Sequence, residues 1–75
     1  MPTLKRFNDL RVLMYLNDHP PPHAHVKLHD GRECTVDLDN LAIKGRVIER
    51  EIREALAWIE ASRDLLFDEW RRNNP

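Results

Sequence analysis

The sequence predicts an α+β fold, in which a three-stranded antiparallel β-meander packs on a C-terminal helix or a broken pair of helices. Two short segments alternate apolar and polar residues, which is typical of strands with one buried face. After position 47 the apolar residues recur at three- and four-residue spacing, which indicates an amphipathic helix. A chain of 75 residues has the length of one small domain, so we expect a single domain over residues 1–75.

Residues 10–16 form the first predicted strand, because this apolar run has the length of a strand. Apolar side chains occur on both of its faces, which indicates a strand that is covered on both sides. Residues 1–9 mix apolar and charged side chains and are expected to form an irregular arm. Residues 17–22 then reverse the chain. Their three consecutive prolines each restrict φ to about −65°, so this connector is expected to be stiff and to fix the positions of the flanking histidines.

Residues 23–28 and 32–38 alternate strictly and are predicted to form a hairpin. A two-residue turn between them would set polar side chains opposite apolar ones. A three-residue loop with Gly31 in the left-handed region instead gives each residue a compatible partner. In this register Leu28 lies opposite Arg32, Val26 opposite Cys34, Ala24 opposite Val36, Lys27 opposite Glu33, His25 opposite Thr35 and His23 opposite Asp37.

Residues 39–47 are expected to be a connection with a short extended piece at 41–43. The helical period begins at Ile48. A single helix ending at Arg72 would be about 37 Å long, whereas a seven-residue strand spans about 23 Å. The helix is therefore expected either to break near Ser62 or to project beyond the sheet.

Composition excludes several classes of protein. The single cysteine, Cys34, excludes an internal disulfide and favours a reducing compartment. No apolar run is long enough for a membrane span and no signal-peptide block is present, so we expect a cytoplasmic protein with no membrane partner. The net charge of −1 gives no general field that attracts nucleic acid. Any nucleic-acid partner would need a local site.

The histidines indicate a candidate metal site. On a strand, His23 and His25 point the same way with Cα atoms roughly 6.5 to 7 Å apart, close enough to bind one divalent transition metal such as zinc. Asp37, opposite His23, is a candidate third ligand or a carboxylate that orients an imidazole. A structural network of hydrogen-bonded imidazoles would explain the same pattern. Further candidates to complete the ligand set are His19, Asp18 and Asp39.

The same side chains also suit acid–base catalysis. His23 paired with Asp37 resembles an oriented general base, and His25 is placed to act as the acid in a metal-free cleavage of RNA. Covalent catalysis is disfavoured, because no serine lies nearby and Cys34 falls on the predicted core face. The alternative is a solvated polar face without catalytic function.

The late helix carries more large apolar side chains than a small core needs, which favours a protein interface. Its arginines alternate with acidic residues, which indicates a solvated helix rather than a phosphate-binding one. Core burial of Trp70 and one other residue is the simpler alternative. The candidate partner-binding residues are Trp58, Leu65, Phe67 and Trp70.

Several motifs together resemble a known family. They are residues 1–3, the Asp-His-Pro-Pro-Pro-His-x-His pattern of residues 18–25 followed by Val26, the strand 36–39, and a late helix with Trp58 and a Glu-Trp pair at 69–70. The chain resembles the small bacterial proteins grouped as domain of unknown function 4160. The resemblance implies a gene arrangement in which a second small protein is encoded nearby, similar to toxin and antitoxin pairs.

Three functional hypotheses follow. In the first, the protein is one component of a toxin–antitoxin-like two-protein module and acts by binding a small cognate protein. In the second, it is a metal- or His-dependent enzyme of ribonuclease type. In the third, it is a homodimer whose histidines are structural. The enzyme hypothesis uses the surface formed by His19, His23, His25 and Asp37.

Overall fold

The computed structural model describes residues 3–75, which form five β-strands followed by a 3₁₀ turn and two α-helices. The predicted α+β class and the antiparallel sheet are confirmed. The strands are β1 (Thr3–Arg6), β2 (Leu10–Leu13), β3 (His23–Leu28), β4 (Glu33–Asp37) and β5 (Ile43–Gly45). The 3₁₀ turn is Glu49–Ile52, and the helices are α1 (Arg53–Ala61) and α2 (Arg63–Asn73).

The prediction of three strands is wrong, because the described residues form a five-stranded meander in the order β1-β2-β3-β4-β5. Strand β1 lies within the segment predicted to be an irregular arm, of which Met1 and Pro2 lie outside the described residues. Strand β5 lies within the predicted connection. Both are edge strands of three or four residues that bond to one neighbour only, and such strands do not need the alternating pattern of a buried strand.

The predicted register of the hairpin between β3 and β4 is confirmed at the five pairs that lie within the two strands. At the predicted sixth pair, beside the loop, the N–H of Leu28 donates to the carbonyl oxygen of Arg32 at 2.8 Å. Val26 lies opposite Cys34, and His23 lies opposite Asp37. Gly31 has a φ of 99°, so the loop needs a residue without a side chain at this position, as expected. Strand β2 ends at Leu13 and is shorter than the predicted strand 10–16.

The helices cover the face of the sheet that carries the alternating apolar side chains. Val12, Val26 and Val36 of three neighbouring strands are completely buried in one core cluster. Complete burial of an aliphatic side chain contributes roughly 1.5–3 kcal/mol, so this face is the main source of the fold's stability. The helical residues of the core are Ile52, Ala55, Ile59, Leu66 and Trp70.

The helix breaks at Ser62, one of the two outcomes that its length predicted. Ser62 has φ −109° and ψ 19°, and its N–H donates to the carbonyl oxygens of Trp58 and Ile59. After the break, α2 buries Leu66 and Trp70 against the same core. None of the described helices is long and apolar enough to cross a membrane.

The opposite face of the sheet carries mainly polar and charged side chains. We call it the open face. It presents Arg11 of β2, Lys27 and His25 of β3, and Glu33 and Thr35 of β4, all partly exposed. The candidate functional residues lie on this face and in the turn that leads into β3.

Candidate functional site

Three side chains converge at the start of β3. Oδ2 of Asp18 lies 2.9 Å from Nε2 of His23 and 2.8 Å from Nε2 of His25. One ligand atom from each of the three residues lies within 4.8 Å of the other two. We call this group the His–Asp cluster. It is mostly buried, with side-chain exposures of 16% for Asp18, 7% for His23 and 13% for His25, so its polar atoms are shielded from water.

The turn before β3 delivers Asp18 to the histidines, and the chain holds this turn at both ends. Asn17 adopts the left-handed conformation (φ 54°), and its N–H donates to the carbonyl oxygen of Asn73 at 3.0 Å. The peptide bond between Pro20 and Pro21 is cis. Pro22 accepts a 3.1 Å hydrogen bond from the N–H of Leu38. Backbone contacts from α2 and from the end of β4 therefore fix the position of the carboxylate.

The second nitrogen of each imidazole ring is also occupied. Nδ1 of His23 lies 2.7 Å from the carbonyl oxygen of Pro21, and Nδ1 of His25 lies 2.9 Å from Oε2 of Glu33. A carbonyl or carboxylate oxygen only accepts hydrogen bonds, so Nδ1 is the donor in both contacts. Each ring is thereby held with Nε2 directed at Asp18.

Asp18 is ionised under ordinary conditions. Burial by itself would raise its pKa, but the hydrogen bonds from His25 and from the backbone N–H of His19, together with the charge of His23, outweigh burial and lower the pKa to about 2. A carboxylate that is already deprotonated is in the state that binds a metal ion.

Two aromatic side chains flank the cluster. The ring of Trp70 lies 5.1 Å from that of His23, and the ring of Tyr15 lies 4.5 Å from that of His25 in an edge-on arrangement. Burial and the nearby charge of Glu33 raise the pKa of Tyr15, so its hydroxyl stays protonated at neutral pH. The aromatic rings supply an apolar wall that lowers the local dielectric around the imidazoles.

The structure places the other predicted site residues at different distances from this cluster. His19 is 79% exposed, and its Nδ1 lies 3.0 Å from Oδ1 of Asp18. Asp37 lies opposite His23 in the sheet, but its Oδ1 accepts hydrogen bonds from the N–H groups of Asp39 and Asn40. Asp37 thus stabilises the turn after β4, while Asp18 provides the carboxylate between the histidines.

Glu33 was missed by sequence reasoning as a partner of His25. In the confirmed register it lies opposite Lys27, two residues along the strand from the position that faces His25. Such diagonal neighbours are within reach of a long side chain, so the register contained the signal. The hydrogen bond of the Tyr15 hydroxyl to the same carboxylate is long, at 3.5 Å.

The predicted partner-binding residues divide between core and surface. Trp70 is 8% exposed and belongs to the core, as the simpler alternative predicts. Trp58 and Phe67 are partly buried and pack against the core. Leu65 is 53% exposed, which makes it the member of this set most available to another protein.

Comparison with known proteins identifies the family. The model of the family described as Domain of unknown function (DUF4160) matches residues 10–71. The chain belongs to the DUF4160 family. The predicted resemblance is therefore confirmed, and the matched part of this DUF4160 domain contains the whole His–Asp cluster and Glu33. No curated protein and no solved structure matches the chain.

Proposed function

We propose that this DUF4160 domain binds one divalent transition metal ion through Asp18 and through Nε2 of both His23 and His25, with zinc as the best fit. The observation that carries the proposal is the convergence of two Nε2 atoms on one carboxylate oxygen, at 2.9 and 2.8 Å. Ligand atoms that share one zinc ion lie about 2.0–2.2 Å from it and hence about 3–3.5 Å from one another. Small side-chain movements would bring the three groups to that spacing.

Counting protons supports a cation at the centre of the cluster. Both Nδ1 atoms donate to oxygen acceptors, so each imidazole ring needs a second proton, on Nε2, if it is also to donate to Asp18. Two doubly protonated imidazoles would then share one mostly buried carboxylate. A divalent cation replaces both Nε2 protons, leaves two neutral imidazoles and keeps the total charge unchanged.

The outer contacts also fit a metal site. Histidine ligands commonly donate their second N–H to a carbonyl or a carboxylate, which fixes the tautomer and the ring orientation. The contacts of His23 with Pro21 and of His25 with Glu33 are of these two kinds.

The number of ligands favours an enzyme over a structural site. Structural zinc sites have four protein ligands, whereas catalytic sites have three and keep a position for water. Three protein ligands converge in the described residues, and the exposed His19 lies beside them, with its Nδ1 3.0 Å from Oδ1 of Asp18. We therefore infer a hydrolytic activity of the ribonuclease-type class, in which Asp37 lies near His23 as part of the adjoining surface.

Metal analysis by native mass spectrometry tests the proposal. We expect one equivalent of metal after incubation with Zn²⁺ and dialysis, and none in the double variant His23→Ala/His25→Ala. His29→Ala is the control, because His29 is exposed and lies outside the cluster. Circular dichroism checks that each variant is folded. Equal metal content in the double variant and the wild type, or no metal in any of the proteins, would overturn the proposal.

A second candidate function is binding of a small cognate protein encoded nearby, as in a toxin–antitoxin-like module. The exposed Leu65 on α2 favours it, together with the partly exposed Phe67 on the same helix. Copurification of the two proteins from a coexpression strain tests it, with Leu65→Ser expected to weaken the complex. Light scattering of the isolated protein would identify a homodimer. Both candidates act in the cytoplasm, which keeps the free thiol of Cys34 reduced.

A further inference from the structure

Three cationic side chains form a row across the edge of the open face. Arg6 of β1 lies directly opposite Arg11 of β2, which lies directly opposite Lys27 of β3. We call these three residues the cation row. Like charges that face each other across strands repel and destabilise a sheet. Among the described residues, none of the three forms a salt bridge that would offset this repulsion.

The cation row lines a cavity of about 300 Å³ at this end of the sheet. The other charged or titratable side chains in its wall are Asp9 and His29, so positive charge exceeds negative charge even when His29 is neutral. Phe7, partly buried, contributes an aromatic surface to the same wall. The cavity therefore combines an excess of cations with one flat apolar group.

Glu33 continues the row on β4 and offsets it only in part, with one negative charge against three positive ones. It lies opposite Lys27 in the register, yet its Oε2 is engaged by Nδ1 of His25 at 2.9 Å. No ion pair between Lys27 and Glu33 forms in the described residues. A bound anion would relieve the repulsion that the row leaves uncompensated.

We propose that the cation row binds the phosphate group of a nucleotide, either free or within an RNA strand. Guanidinium groups donate two parallel hydrogen bonds to phosphate oxygens, and lysine adds a point charge. Phe7 packs against the core, and Nζ of Lys5 lies 5.8 Å from its ring centroid, so a further positive charge lies beside this wall of the cavity. The overall charge of −1 does not oppose this, because binding at a local site depends on the nearby charges.

The location links this site to the proposed metal centre. Lys27 and His25 are alternate residues of β3 and lie on the same face, roughly 6.5 to 7 Å apart at Cα. An RNA strand held by the cation row through one phosphate would place a neighbouring phosphate group beside the His–Asp cluster. The assignment of this ligand as a substrate rests on the proposed function, whereas phosphate binding itself requires no metal.

Binding measurements in metal-free buffer at low salt test the inference. The probes are adenosine 5′-monophosphate, adenosine and a fluorescein-labelled single-stranded RNA of eight nucleotides. We expect the double variant Arg11→Gln/Lys27→Gln to bind about tenfold or more weakly to the monophosphate or the RNA, whichever of the two binds the wild type. Arg50→Gln/Arg53→Gln removes the same charge from exposed positions of the helical segment and should change affinity less than about twofold.

The probes distinguish the sources of the phosphate. If the monophosphate binds and adenosine does not, the phosphate of a free nucleotide is enough for binding. If only the RNA binds, the site requires a phosphate within a strand. Either result supports the inference if the cation-row variant weakens it selectively. Equal losses in both double variants, or binding by neither phosphate-bearing probe, would overturn it. If Arg11→Gln/Lys27→Gln loses nucleotide binding but still binds one equivalent of zinc, the metal site does not depend on the cation row. If His23→Ala/His25→Ala loses zinc but still binds nucleotide, the cation row does not depend on the metal site.

Discussion

Oε2 of Glu33 lies 2.9 Å from Nδ1 of His25, on the side of the imidazole ring away from Asp18. The hydrogen bond orients Nε2 toward the cluster and fixes the tautomer of the ring. Outer carboxylates of this kind typically contribute 10–100-fold to metal affinity. We therefore expect Glu33→Gln to weaken zinc binding by about that factor, measured by competition with a chromophoric chelator. Glu51→Gln is the control, because Glu51 pairs with Arg32 away from the cluster, and an equal loss there would contradict this role of Glu33.

The depressed pKa of Asp18 predicts an acid-dependent loss of stability in the metal-free protein. The folded pKa is about 2, below the ordinary value of 3.8, so the unfolded state binds more protons between these values. The stabilisation by the ionised carboxylate is complete above about pH 4 and is lost as the pH falls towards 2. Urea unfolding of the wild type and of Asp18→Asn should therefore show a free-energy difference that shrinks from pH 5 to pH 2. A difference that is constant over this range would contradict the assignment.

Local pattern determined how much of this molecule could be predicted. The hairpin register followed from pairing each side chain with a compatible neighbour, because a shift by one residue would bury His25 and expose Val26. The break at Ser62 followed from helix length. Strand β1 could not be predicted, because charged Lys5 and Arg6 mask the period of an edge strand whose stability comes from backbone pairing.

The candidate site was predicted only in part, because only its local patterns could be interpreted from sequence. His23 and His25 follow from alternation along one strand, so they were placed together from sequence. The choice between Asp18 and Asp37 depends on how the turn over residues 17–22 directs its side chains, and backbone contacts with Asn73 and Leu38 set that direction. Such contacts join distant parts of the chain and leave no local pattern.

Gly45 tests the packing of β5 on β4. A Cβ atom at this position would lie 2.7 Å from Cβ of Cys34 and 2.9 Å from the carbonyl oxygen of Glu33, and the φ of Gly45 is 141°. We expect Gly45→Ala to lower the free energy of unfolding by more than about 2 kcal/mol, from overpacking and backbone strain together. Gly31→Ala is the matched control, because Gly31 also has a positive φ but no neighbouring atom within 4 Å. Gly31→Ala should lower the free energy of unfolding by about 1–2 kcal/mol, measured by denaturant unfolding. A larger loss at Gly31 would contradict the packing argument.

Arg11 provides a test in which stability and binding change in opposite directions. It lies between Arg6 and Lys27, so replacing it by the neutral Gln removes two unfavourable cross-strand pairs. We expect Arg11→Gln to raise the free energy of unfolding by about 0.2–1 kcal/mol at low salt while weakening nucleotide binding. The gain should shrink at high salt, because screening reduces the repulsion in the wild type. Chemical denaturation at two salt concentrations measures it, with Arg50→Gln as the control of equal charge change. A lower stability of Arg11→Gln at both salt concentrations would contradict this prediction. It would mean that the long 3.5 Å contact from Arg11 to Thr3 outweighs the repulsion. The cation row would then need no anion to offset the repulsion between its charges.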